Sequence, residues 1–128
     1  MKTLIFSILI LIAAQAAAQT TEPTVEQRSN ANYIFATVVA NETGGYITRE
    51  FKNRDGEYRY VINPGSGFTF DLLRLIMRRI DSTYENVKID GAFTQNPDNP
   101  NQYMAFYYLN DIIVAVVYTA DTNLILIM

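Results

Sequence analysis

Carboxylates are the only common acid–base side chains that this chain can bring to a reaction, because none of its 128 residues is a histidine or a cysteine. Without them there is no Ser-His or Cys-His dyad, no thiolate and no ordinary zinc site. Asp55 with Glu57, Asp71 with Asp81 and Glu85, and Asp98 with Asp111 could on paper supply the two carboxyls that glycoside hydrolysis sets across a sugar. Charges scattered over surface turns have the same pattern, so no catalytic residue, and no enzyme, is expected. The run NPGSGF from Asn63 to Phe68 lacks the Gly-Lys-Ser/Thr ending of a phosphate loop and reads as a plain strand-to-helix turn. The run NPDNPNQ carries acidic and amide oxygens without calcium-loop spacing. Neither a metal nor a cofactor is expected.

Binding chemistry is better represented. Nine Tyr and seven Phe with no Trp is a heavy aromatic load for one small domain. Aromatic rings stack on the apolar C–H faces of sugars while phenol hydroxyls hydrogen-bond, so alternating tyrosines on a sheet face are where a polysaccharide platform is to be sought. Core packing accounts for the same residues. A formal net charge of −3 gives no electrostatic footprint for nucleic acid.

The elements that must carry these side chains follow from periodicity. MKTLIFSILILIAAQAAAQ places one lysine before an apolar run and then small residues, the order of a secretory signal peptide with cleavage after Ala18. The product is expected to be secreted and extracellular, with no membrane association after cleavage. Residues 19–32 are polar without apolar periodicity and read as a flexible leader, so a single β-rich domain is expected over 33–128. Tyr33 to Ala40 is β-branched and aromatic and Tyr46 to Phe51 alternates, which predicts a hairpin across NETGG. Asn41-Glu42-Thr43 in that turn is an N-glycosylation sequon. Glu57 to Asn63 alternates again and puts Tyr58, Tyr60 and Ile62 on one face.

At Phe70 the period changes. Leu72, Leu73, Ile76, Met77 and Ile80 recur at helical spacing, with Arg74, Arg78 and Arg79 on or near the other side, which predicts one amphipathic helix near 68–82. ENVKIDGAF reads as a strand and TQNPDNPNQ as a loop. A two-residue turn at Asn110-Asp111 would pair Leu109 with Ile112, Tyr107 with Val114, Ala105 with Val116 and Tyr103 with Tyr118 on one face. Met104, Phe106, Tyr108, Ile113, Ala115 and Val117 take the other face. Both faces are apolar or aromatic, as in a central strand pair covered on two sides or one whose second face meets a partner. TNLILIM reads as a last, edge-like strand. The expected fold class is α+β, mainly antiparallel sheet with one helix.

The run AFYYLNDIIVAVVYTADTN resembles the chitin-binding insect cuticle proteins of the R&R type. Phe106 and Tyr108 stand like that family's Tyr-x-Tyr pair, Asn110-Asp111 like its turn, and Val116 to Asn123 like its closing signature. Asp55 to Tyr60 (DGEYRY) looks like its first Tyr-x-Tyr strand. Met104, Ile112 and Leu124 depart from it by replacing glycines. The resemblance implies a non-enzymatic structural module that takes chitin or another extracellular polysaccharide on Tyr58, Tyr60, Tyr103, Phe106, Tyr107, Tyr108 and Tyr118. The alternative is an extracellular protein-binding or inhibitor-like domain with a helix packed across an antiparallel sheet, as in cystatin-like folds. A secreted protein of recent origin and no known activity is the third reading.

Overall fold

The computed structural model describes residues 22–128; the signal-peptide expectation over 1–18 lies outside them. The fold is α+β and mainly sheet, with two helices and six antiparallel strands among the described residues. Helix α1 spans Val25–Thr43, β1 Tyr46–Lys52, β2 Tyr58–Asn63, α2 Phe70–Thr83, β3 Val87–Asn96, β4 Asn99–Leu109, β5 Ile112–Thr119 and β6 Leu124–Ile127.

Helix α1 corrects two expectations. From Val25 onward the expected leader is helical, and Tyr33 to Ala40 is the continuation of that helix, not a strand. The local cause is a reciprocal cap: Gln27 N–H donates to the Thr24 hydroxyl oxygen (3.1 Å) and Thr24 N–H donates to Gln27 Oε1 (2.8 Å). Ala31, Phe35 and Val39, with Asn32, Ala36 and Ala40, recur at four-residue spacing and form the buried stripe. Gly44, in the left-handed region at φ 72°, ends the helix. Any side chain on Gly45 would collide with the Asn63 carbonyl oxygen, so the close approach of this turn to β2 requires glycine. Asn41 is exposed, but in the last helical turn and not in a loop.

Helix α2 starts where the period changes, with Leu72 N–H donating to the Thr69 hydroxyl (3.2 Å). Its buried residues are Leu73, Met77 and Ile80, whereas Leu72 is 42% exposed and Ile76 half-buried. The stretch expected as a loop from Thr94 to Gln102 instead belongs to a hairpin of β3 and β4 turning at Pro97-Asp98.

The sheet order is β1-β2-β6-β5-β4-β3. Asn110 (φ 50°) and Asp111 (φ 67°) are both left-handed, the turn that matches strand twist in a two-residue hairpin. The β4–β5 register is the expected one, Leu109 with Ile112 through Tyr103 with Tyr118. Strand β6, expected at an edge, lies inside the sheet between β2 and β5, and the edges are β1 and β3. Both described helices lie on one face: Phe35 of α1 meets Tyr107 at 5.4 Å between ring centroids, and Phe70 of α2 stacks on Tyr103 at 3.9 Å.

Candidate functional site

The alternation of β4 and β5 distributes the seven aromatic candidates over two faces, so they do not converge. Tyr107, Tyr118 and Tyr60 point toward the helices and are buried, which corrects their expected role as stacking surfaces because none presents a ring face to solvent. Tyr118 instead holds a loop in place. Its hydroxyl donates to Asn123 Oδ1 (2.9 Å), whose amide donates to the Gly65 carbonyl (2.8 Å) and ties the segment before α2 to the sheet. Burial raises the Tyr60 phenol to about 12, with Glu50 adding a hydrogen bond and charge, and burial raises Tyr107 further. Tyr103 is half-buried beneath Phe70. Tyr58, 37% exposed, lies under the Lys52 ammonium (5.1 Å to its centroid). Phe106 and Tyr108 project from the other face, where the Tyr108 hydroxyl donates to Asp90 (3.4 Å).

Two of the three carboxylate groupings do not assemble either. Asp98 and Asp111 occupy turns at opposite ends of the eleven-residue β4, about 37 Å apart at ~3.4 Å per residue, against the 5–10 Å or so that glycoside hydrolysis needs. Asp71 lies beside Arg74 at the start of α2 (3.7 Å), while Asp81, near its end, accepts from the Ile89 amide (2.7 Å). Asp55, exposed, and Glu57, buried, both belong to the β1–β2 turn and line one cleft, where Glu57 is held by Arg28 and Arg59.

Glu57 anchors the most polar enclosed spot among the described residues. Its Oε1 accepts from Arg28 Nε (2.7 Å), and its Oε2 lies 3.5 Å from both Arg59 Nε and Asn32 Nδ2. Two guanidiniums therefore share one carboxylate in a partly dry setting, where each ion pair is worth more than on the surface. The cause is the shortness of β6. The pairing of β2 with β6 ends at Tyr60 with Ile127, and helix α1 supplies partners to the next part of β2: Tyr58 N–H donates to Ser29 Oγ (2.9 Å) and Asn32 Nδ2 donates to the Tyr58 carbonyl (2.9 Å). This explains why Ser29 and Asn32 are buried on a helix that otherwise buries apolar residues. A cleft of about 180 Å³ opens here, with Arg28, Asn32, Asn53, Asp55, Glu57 and Arg59 on its polar side and Phe106, Ile113, Ala115 and Met128 on its apolar side. Sequence reasoning misses the polar wall because residues 19–32 read as a leader. Thr24-x-x-Gln27 is the available signal, since a helix begun there brings Ser29 and Asn32 onto the Phe35 stripe.

The apolar wall continues across the sheet. On the face away from both described helices, Met104, Ala115 and Val117 form a second buried cluster with Phe106, Leu126 and Met128 around it. The two long rows of this face read across the strands. Arg49, Val61, Leu126, Val117, Met104 and Thr94 stand level, and Phe51, Arg59, Met128, Ala115, Phe106 and Asp90 form the next row. The centre of these rows is apolar and the charges lie toward the sides.

Comparison of the chain with protein-family models, with curated proteins and with solved structures finds no match.

Proposed function

We propose that this is a secreted, non-enzymatic protein-binding module in which two helices stiffen a sheet from one side so that its other face can receive a protein. The observation that carries this reading is the apolar centre of the second face, Val61, Leu126, Val117 and Met104 in one row, with both described helices on the opposite face. A sheet solvated on one side alternates apolar with polar residues, and β4 and β5 do not. Met104 and Val117 are buried, so the half-buried Val61 and Leu126 are the part of this row that a partner would cover. The test is a photoreactive amino acid at Leu126, with exposed Arg78 of α2 as the control, in cells expressing the full chain. We expect covalent adducts with a polypeptide from position 126 at about tenfold the yield from 78. Equal yields would overturn the reading.

A polysaccharide reading has support at one place. Tyr33, 52% exposed, and Tyr58, 37% exposed, lie near Tyr60, with the Tyr33 and Tyr60 rings 5.5 Å apart. If these rings stack on sugar, the protein is retained on chitin beads and Tyr58→Ala releases it without altering its melting. A parent protein that washes through the beads removes this reading.

A further inference from the structure

We infer that a second copy of this chain adds to the open edge of the sheet at β1, antiparallel and about a twofold axis through Phe51, so that the two sheets join into one. The inference concerns the edge alone and goes beyond the second-face reading, which the Leu126 crosslink tests separately.

The backbone of β1 is set for such pairing. Among the described residues no strand pairs with its outer side. Asn53 N–H donates to the Glu57 carbonyl (2.9 Å) and the Asn53 carbonyl accepts from Gly56 N–H (3.1 Å), so Asn53 turns its polar groups toward β2. These directions alternate along a strand, so Phe51 also bonds toward β2 while Glu50 and Lys52 aim their N–H and C=O groups out of the sheet. An edge of this kind is a template for another strand. The opposite edge is interrupted, because the β3–β4 register shifts between Asp90 and Thr94, around Gly91 at φ 86°. The shift in β1 falls between Ile47 and Arg49 and leaves Arg49 to Lys52 regular.

Charge selects the register. When a strand pairs with its own copy about a twofold axis, the residue on the axis meets itself. An axis on Arg49, Glu50 or Lys52 therefore sets like charges directly opposite each other, which is destabilising. An axis on Phe51 sets Glu50 opposite the second copy's Lys52 and Lys52 opposite its Glu50. Both residues are exposed, and both lie on the helix-bearing face because they pair with Tyr60 and Tyr58. Each of these two pairs also exchanges two backbone hydrogen bonds through the outward groups. On the other face the half-buried Phe51 side chains meet as a non-hydrogen-bonded pair, the type in which side chains stand closer.

The remaining charges do not oppose this register. Arg49, with its guanidinium 5.2 Å from the centre of its own Phe51 ring, comes opposite the uncharged Asn53. The turn beyond holds one charge of each sign, Arg54 and Asp55, and Arg59 lies one strand inward beside Glu57 (3.5 Å). The helices leave room as well. Strand β2 and its copy would stand three strand spacings apart, ~14 Å, and α1 reaches β2 from the side away from β1, whereas packed helices need only ~10 Å between axes.

The experiment uses the full chain as expressed. Sedimentation from ~10 μM to ~1 mM brackets a dissociation constant on the order of 100 μM, the weak range that so short an overlap implies. We expect the mass to rise toward twice the chain mass, the Glu50 and Lys52 amides to exchange more slowly as concentration increases, and the Phe51 amide to stay unchanged. Glu50→Lys and Lys52→Glu should each raise the dissociation constant about tenfold, since each turns two attractions into two repulsions. The variant carrying both changes should restore it, because both pairs re-form with their signs exchanged. Lys52→Pro removes an outward N–H and should abolish the dimer, with circular dichroism reporting whether the fold survives. If that variant unfolds, the charge exchange decides alone. A monomer at every concentration overturns the proposal, and so does a dimer indifferent to the charge variants or a double variant that fails to restore it. None of these results bears on the second face.

Discussion

Tyr107→Ala is expected to cost about 3 to 5 kcal/mol of stability, as large-to-small changes at fully buried aromatic positions do, while Tyr107→Phe should cost nothing or stabilise. Tyr107 is 0% exposed, lies against Phe35 of α1 and pairs with Val114 across the β4–β5 hairpin. Its removal would open a cavity where a helix meets the middle of the sheet. The hydroxyl behaves differently from the ring: it is buried and has no hydrogen-bond partner. An unsatisfied buried hydroxyl carries a desolvation cost of about 1–3 kcal/mol, which phenylalanine removes while keeping the ring. Urea midpoints of the two variants check the pair of outcomes. A Phe variant as damaged as the Ala variant would mean that the hydroxyl is bonded in solution.

Ile80→Asp should destabilise by several kcal/mol, and Leu72→Asp on the same helix should change stability by only about half a kcal/mol. Ile80 is 0% exposed and belongs with Leu73 and Met77 to the face of α2 that joins the main core, so an aspartate there would be desolvated without a partner. Leu72 is 42% exposed, and a carboxylate in the first turn would also face the positive end of the helix dipole. Thermal melts of both variants make the comparison. Similar losses at both positions would mean that α2 is rotated about its axis in solution, with Leu72 turned toward the core.

That contrast shows where sequence reasoning stops. The run from Leu72 to Ile80 carries five apolar residues at helical spacing, enough to predict the helix but too broad a stripe to say which edge of it faces the sheet. The choice of Leu73, Met77 and Ile80 is made by the direction in which α2 crosses the β3–β4 side of the sheet, where Phe70 stacks on Tyr103. The burial of Tyr107 and Tyr118 is similarly undecided by the chain alone. Alternation places them on one face with Tyr103, but either face of an apolar hairpin could receive the helices.

Helix α1 escapes sequence reasoning for a physical reason. Val38, Val39 and Thr37 favour strands, and Ser29 and Asn32 are polar on the buried stripe, so neither propensity nor hydropathy announces a helix. Tertiary contacts override both: Ser29 and Asn32 are buried because the backbone of Tyr58 needs their hydrogen bonds where β6 stops short. The candidate cleft is invisible for the same reason, since its polar side comes from α1, the β1–β2 turn and β2 and its apolar side from β4, β5 and Met128.

By itself the sequence determined the α+β class, the helix after Phe70, and the β4–β5 hairpin with its register, because each is set by contacts between near neighbours. Asn110-Asp111 closes that hairpin with two left-handed residues, and a slip of one residue would turn every side chain to the wrong face. Only the tertiary structure decided that β6 lies between β2 and β5 and that α1 and α2 share one face. These arrangements depend on pairings between segments distant along the chain, such as Tyr60 with Ile127, which periodicity does not encode.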